Sequence, residues 1–386
     1  MKNKITQFNS LFGFIGITTC IYSTFIMPYL KLKGFSMTEL GMFSSINIGM
    51  SILGQFVFGY ICDSIKTIKK IFIFNLVMLS IVAVAMQITT NTYIIILLIG
   101  SIGFFQGPLS VLSDSWVLSN ERYISQSFGS IRAWASIGWA ACSIFMGVLI
   151  ENFGWSIFLK AYIIMLLLTS AVTLKISDIR RDINPKEKGV KINPLILFKD
   201  YRYVFVVVIM ILLTTTHQTL SFLYVKITNL GGTSKHIGIS AFVMAVCELP
   251  VFFGSQYIIK RFKLTSLFMF SSCMYLIRML LLGNSASYIQ VIMLGSLQMV
   301  TFSVYVITYK YFIAEIAPGN LQVTAQSTAV SVCAIGSIIF SSAAGYIIDL
   351  YGVDMVFAIG ACTSTAGIIL IIIYWLCIER KKLRME

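Results

Sequence analysis

Two carboxylates and two guanidinium groups, Asp114, Arg132, Glu248 and Arg278, stand inside runs of sequence otherwise apolar enough to cross a membrane. A cation near the middle of a lipid-embedded helix costs roughly 2.5–3.5 kcal/mol even on mild insertion scales, so each arginine must face protein or a water-filled cavity and have a partner. Asp114 lies five residues before the polar link 119–125 and Arg132 seven residues after it. At 1.5 Å of rise per residue, both side chains sit roughly 8–10 Å from the same end of two antiparallel helices, where they can meet. On its own helix Arg132 shares a face with Ser136 at i+4 and Trp139 at i+7, which lines up a cation, a hydroxyl and an indole. A purely structural ion pair between two helices is the plainer alternative, against the general rule that intramembrane ionisable residues are functional.

Glu248 and Arg278 form a second set. Counted from helix ends on one side of the membrane, both lie near midplane, roughly 18–22 Å deep. Only Asp114 and Glu248, of the fifteen acidic residues, lie well inside apolar runs. An arginine that alternately engages and releases such an acid loads and unloads a proton, which makes Glu248 the expected proton carrier and Arg278 its switch. His217, beside Gln218, is a further protonatable group at comparable depth, to be read as a packing histidine before a relay.

The elements that must position these groups are helices. The chain has 386 residues, 58% hydrophobic and 11% charged, and no soluble fold hides that much apolar surface. Apolar runs of about 20 residues or more fall at 8–30, 38–62, 71–90, 92–118, 127–150, 154–174, 202–225, 236–259, 264–283, 287–313, 321–348 and 353–378. The expected fold is therefore an all-α integral membrane protein with twelve transmembrane helices. A polar stretch at 175–199, with Arg180, Arg181, Lys186 and Lys188, divides them six and six. The expected domains are an N-terminal six-helix bundle at 1–175, a linker at 176–199, and a C-terminal bundle with a basic tail at 200–386. Lysine and arginine gather on one side, at Lys2, Lys4, Lys66, Lys69, Lys70, Arg122, Lys260, Arg261, Lys263, the linker and the tail. Retained loops are cytoplasmic, so this bias sets both termini and the linker inside the cell membrane, and it accounts for the net charge of +14 without nucleic acid. An octapeptide repeat supports two related halves, since GVLIENFG at 147–154 recurs as GYIIDLYG at 345–352. Parallel halves related by an axis along the membrane normal place a substrate site between them at midplane.

With these residues placed, the sequence resembles the major facilitator superfamily, and within it the branch of lactose permease, phenylpropionate permease and nucleoside:proton symporters. GYICD at 59–63 followed by Lys66, Lys69 and Lys70 is similar to the superfamily's loop motif between its second and third helices. That resemblance implies a gating role for Asp63, Lys66, Lys69 and Lys70. FGSIRAWASIGWAAC at 128–142 resembles the stretch around the sugar-binding arginine of lactose permease, and the match runs back without a gap to Asp114. It implies that Asp114 and Arg132 hydrogen-bond substrate hydroxyls and that Trp139 stacks on a sugar or base ring. Ser136, on the Arg132 face, and Gln298, a polar group on a spanning run that could equally be interhelical glue, are the further candidate substrate contacts. Glu248 and Arg278 fall where the branch keeps an acid and an arginine for proton coupling. The tenth helix departs from the pattern: Gln298 and Thr301 stand where lactose permease has a histidine and an acid. Neither carries a proton at physiological pH, so coupling rests on other groups or is absent.

The expected activity is secondary active transport: proton-coupled import of a small hydroxylated solute, a sugar, glycoside or nucleoside, by alternating access. Export of amphipathic drugs or metabolites and import of aromatic acids remain open on the same fold. An enzyme is not expected, because only His217 and His236 are present and no HExxH cluster accompanies them. There is no GxxxxGK[ST] nucleotide loop. The eight cysteines are scattered without a CxxC pair, so neither disulfides, metal nor cofactor are expected. The expected partners are a small-molecule substrate, protons and membrane lipids, acting on a monomer.

Overall fold

A computed structural model describes residues 2–89, 91–178, 194–317 and 321–376. The side chains of Asp63 and Arg122, most of the basic linker and the basic tail lie outside the described residues. Among the described residues twelve helices are long and apolar enough to span a membrane: α1 Lys4–Leu32, α2 Met37–Cys62, α3 Lys69–Ile88, α4 Thr92–Leu118, α5 Phe128–Phe153, α6 Ser156–Leu174, α7 Tyr201–Asn229, α8 Ser234–Phe253, α9 Leu264–Gly283, α10 Tyr288–Ile316, α11 Thr324–Tyr351 and α12 Val353–Tyr374. No strand occurs among the described residues. With no water in the hydrocarbon core, every backbone polar group must be paired within the segment, and an apolar chain with no barrel to close can do so only as helices.

The chain forms two compact units, one of Met1–Phe35, Met42–Val190 and Thr233–Phe242, the other of Ser36–Gly41, Lys191–Gly232 and Val243–Glu386. Inside the first, α1 packs on α5 and α6, and α3 on α4 and α6. The second repeats these pairings six helices later: α7 packs on α11 and α12, and α9 on α10 and α12. The repeat legible in one octapeptide is thus a repeat of helix pairing.

Three departures from the apolar runs have local causes. The run at 236–259 is divided, because α8 ends at Phe253 and a separate helix covers Ser255–Arg261. Pro250 lies just upstream and Gly254 stands at the junction, its N–H closing onto the Pro250 carbonyl at 2.9 Å. Two further spans are irregular within: α7 passes through a 3-10 turn at Thr219–Phe222, and α10 through another at Gly295–Met299. Irregular backbone at membrane depth is tolerated only where protein buries it or it lines a cavity.

Small residues fix α5 against α1. A Cβ on Gly138 would lie 2.3 Å from the Gly13 carbonyl oxygen, and one on Gly16 would lie 2.0 Å from that of Ala135. Backbone meets backbone there, so no side chain can swing aside. Gly138→Leu is expected to cost about 3 kcal/mol or more, read as a lower melting temperature and aggregation of the detergent-purified protein on size-exclusion chromatography. A mutant that melts like the parent would show that α1 and α5 are not in this register. In the second unit a buried Lys226 ties three helices, with Nζ 2.6 Å from Asp354 of α12 and 3.2 Å from the Gly283 carbonyl of α9.

Candidate functional site

In the first unit, α4 and α5 carry the acid and the arginine. Asp114 and Arg132 are hydrogen-bonded and ion-paired through Arg132 Nη1. The Arg132 guanidinium also lies over the Phe128 ring, 5.8 Å from its centroid, one turn earlier on the same helix. Arg132 follows the turn that begins α5 and precedes the contact of Ala135 with Gly16, so its backbone is held on both sides. The pair is open: the Arg132 side chain is 54% exposed and that of Asp114 24%. A guanidinium has five N–H donors in a planar fork, so its contact with Asp114 leaves Arg132 donors for a ligand. Ser136 is exposed and Trp139 half-buried on the same helix. Donors, acceptors and an indole face along one helix suit a ligand with hydroxyls around a ring.

In the second unit the expected direct pair of Glu248 and Arg278 is not formed. Gln298 of the 3-10 turn in α10 stands between them, accepting from Arg278 Nη1 at 2.5 Å through its carbonyl and donating from its NH2 to Glu248 at 2.9 Å. The orientation of this amide is forced. Arginine offers only donors and an ionised carboxylate only acceptors, so the carbonyl must face one and the NH2 the other. Arg278 also donates to Thr301 Oγ1 at 3.1 Å. Gln298, expected among the substrate contacts, is 4% exposed and engaged on both ends of its amide. Arg278 is fully buried, and its Nε and Nη2 have no hydrogen-bond partner among the described residues.

His217 joins this region from α7. Its ring stacks on Phe302 with centroids 4.3 Å apart, and its Nδ1 lies 3.2 Å from the Tyr275 hydroxyl. Tyr275 is one turn from Arg278 on α9, so a histidine, a phenol, a guanidinium, an amide and a carboxylate line one polar path through an apolar unit. Sequence reasoning missed Tyr275 and Phe302. Neither type stands out in a chain with 18 tyrosines and 29 phenylalanines.

The loop after α2 shows a different arrangement. Lys66 adopts a left-handed backbone, φ 57°, and so turns the chain into α3. Lys69 reaches the end of α6, with Nζ 2.7 Å from the carbonyl oxygens of both Leu174 and Ile176, where a cation complements the helix C-terminus. In exchange Asp178 accepts from the Thr67 hydroxyl and from the Lys69 backbone N–H, the latter at 3.2 Å, which caps the start of α3. Lys66 and Lys70 point outward as exposed side chains. Asp178 had no signal of its own, lying beyond the last apolar residues of α6 in a charged stretch.

A family model described as MFS_1 like family matches residues 9–359. The uncharacterized transporter YwbF of Bacillus subtilis is 22% identical over 92% of this chain and 89% of its own length. The maltose permease of Geobacillus stearothermophilus is 19% identical over 94% and 91%. Among solved structures, the nucleoside transporter NupG superposes with a TM-score of 0.82 at 15% identity, covering 97% of this chain and 98% of that one, and a variant of it with 0.85 at 14%, covering 95% and 98%.

Proposed function

We propose, for a chain that belongs to the MFS_1 like family and so is a membrane transporter and not an enzyme, that it imports a sugar or nucleoside together with protons. The observation that carries the substrate class is the open Asp114–Arg132 pair above a helix face bearing Ser136 and Trp139. A guanidinium already neutralised by a carboxylate favours a neutral, hydroxyl-rich ligand over an anion. Relatives described as a maltose permease and a nucleoside transporter support this reading, both names denoting polyhydroxylated cargo. In this reading the bundles at 1–175 and 200–386 work by alternating access, with both termini on the cytoplasmic side of the cell membrane, lipid head groups against the basic loops, and a monomer as the working unit.

For coupling, Glu248 is the proton carrier. Ionised, it accepts a charge-assisted hydrogen bond from the Gln298 N–H and holds the amide carbonyl toward Arg278; protonated, it is a weaker, neutral acceptor, and the Gln298 bridge to Arg278 loosens. The Glu248 carboxyl and the Arg278 hydrogen bonds then change together. His217, hydrogen-bonded to the Tyr275 hydroxyl, is the further protonatable group on the same path.

The test is alkalinisation of a weakly buffered suspension of de-energised cells expressing the protein, on addition of uridine, adenosine, maltose or a galactoside. Uptake of protons with one of these is expected, and Glu248→Gln is expected to abolish it. Undiminished proton uptake in Glu248→Gln would sink the assignment of the carrier. Entry of labelled solute without proton movement in the parent would leave transport standing and remove the coupling.

A further inference from the structure

Two amides of the first unit, Asn47 of α2 and Gln106 of α4, belong neither to the Asp114–Arg132 pair nor to the Glu248 path. Glycines press these two helices together. A Cβ on Gly103 would lie 2.3 Å from the Asn47 carbonyl oxygen, one on Gly107 2.6 Å from that of Ser51, and one on Gly54 2.0 Å from that of Phe104. With backbone against backbone at three contacts, the helices themselves fix where Asn47 and Gln106 stand.

The free end of each amide follows from its partners. Asn47 donates from Nδ2 to the Ile99 carbonyl at 3.1 Å and to the Tyr22 hydroxyl at 3.0 Å. A carbonyl only accepts, so the NH2 faces Ile99, both its hydrogens are used, and Oδ1 points away. Gln106 is the converse. Tyr162 is fully buried, and the acceptor its hydroxyl meets among the described residues is Gln106 Oε1, at 3.5 Å. A buried hydroxyl proton goes to an acceptor, so the Gln106 carbonyl faces Tyr162 and its NH2 points away. The Tyr22 and Tyr162 rings are 5.7 Å apart between centroids, so the two amides flank one pair of phenols. Both amide side chains are half-buried, and among the described residues Asn47 Oδ1 and Gln106 Nε2 have no partner and are not enclosed. An unpaired amide group in hydrocarbon is costly, so these free ends belong to a water-filled cavity.

We propose that Asn47 Oδ1 and Gln106 Nε2 form a second subsite of the first unit, which takes the lactam edge of a nucleobase. Asn47 accepts the ring N–H, and Gln106 donates to the neighbouring ring carbonyl oxygen. An acceptor beside a donor is complementary to an –NH–C=O edge. Uracil, hypoxanthine and guanine present that edge, whereas cytosine and adenine present the reverse, a bare ring nitrogen beside an NH2. Gln106 precedes Asp114 on α4 by two turns and about 80° of rotation, about 12 Å along the axis, so the two groups share one side of that helix. A ligand held by hydroxyls at Asp114 and Arg132 and by a lactam edge at the amides is a nucleoside; a plain sugar fills the first subsite alone. The inference rests on the proposed transport of sugars or nucleosides and narrows it.

The experiment is calorimetric titration of the purified full chain with uridine, inosine, cytidine, adenosine, 3-methyluridine, uracil and maltose. Uridine and inosine are expected to bind about ten- to a hundredfold tighter than cytidine, adenosine and 3-methyluridine, whose ring nitrogen carries no hydrogen. Uracil has the edge but no ribose and is expected to bind more weakly than uridine; equal binding would overturn the assignment to nucleosides. Asn47→Leu should bind uridine and 3-methyluridine alike, and Gln106→Leu should weaken uridine while leaving maltose at parental affinity. Lost discrimination, and not lost affinity alone, separates reading of the base from packing. Equal binding of uridine, cytidine and 3-methyluridine by the parent would overturn the subsite without recourse to any variant, and so would a preference for uridine over 3-methyluridine that survives in Asn47→Leu. Binding of maltose without uridine would remove this subsite and leave the proposed cargo class standing, whereas binding of none of these ligands would remove both.

Discussion

Arg278→Met is expected to abolish proton-driven accumulation of the transported solute while leaving the melting temperature of the purified protein unchanged or raised. The separation of the two readouts follows from the burial. Arg278 is fully enclosed, and two of its three guanidinium nitrogens have no partner among the described residues, so the group is a poor contributor to stability. Arg278 touches no carboxylate directly, and a Glu248 left without its cation can neutralise itself by taking up a proton, so an apolar side chain of similar length is expected to be close to neutral for folding. Transport is a different matter. Without the guanidinium, Gln298 has no donor to hold its carbonyl, and the amide no longer reports whether Glu248 is ionised. Loss of one partner in a buried, hydrogen-bonded charged network is commonly worth 2–5 kcal/mol, so a fall of about 100-fold in the rate of pH-driven uptake is expected. Arg278→Lys keeps a charge on one point donor and should recover only a part of it. The measurements are initial uptake of labelled uridine or maltose under an imposed pH gradient, and a thermal melt. A variant that melts many degrees lower would make Arg278 a structural residue and remove it from the coupling path.

Arg132→Ala is expected to weaken binding of the transported solute by about 100-fold, the scale for losing one end of a charge-assisted contact to a ligand, again with little change in thermal stability. The pair it forms with Asp114 is open, and exposed ion pairs contribute about 0–1 kcal/mol to folding. Arg132→Lys should not restore affinity where a planar fork meets neighbouring hydroxyls. Asp114→Asn, which keeps the shape and removes the counter-charge, should weaken neutral ligands and favour carboxylated ones. Calorimetric titration of the purified variants with uridine and maltose reads all three. Should Arg132→Ala bind like the parent but melt earlier, the pair is a tie between α4 and α5.

The parts of the fold legible in the sequence are those with local physical causes. Twelve spans could be read because a backbone in hydrocarbon has to be helical and a crossing helix needs a fixed length of apolar residues, so hydropathy alone locates α1 to α12. The contact of Asp114 with Arg132 was legible for the same reason: two antiparallel helices joined by a short link leave one geometry for groups at similar distances from it. The octapeptide repeat likewise pointed to related halves, and the pairing of helices in each unit follows it.

The remainder depended on contacts far apart in the chain. Glu248 and Arg278 were each expected near midplane, yet depth along an axis carries no information on rotation about it, and the space between them is filled by Gln298 from a third helix. That helix presents the amide from a 3-10 turn, which the apolar run at 287–313 does not announce. Asp178 and Asp349 looked like ordinary acids at helix ends until the partners appeared, the start of α3 in one case and the start of α2, 312 residues away from Asp349, in the other. The sequence by itself determined which segments cross the membrane and which charges had to find partners there, because both follow from the cost of polar groups in lipid. The tertiary structure alone decided which partners they found, because hydrogen bonds are short and directional and the pairing depends on how helices distant in sequence are rotated and broken against one another.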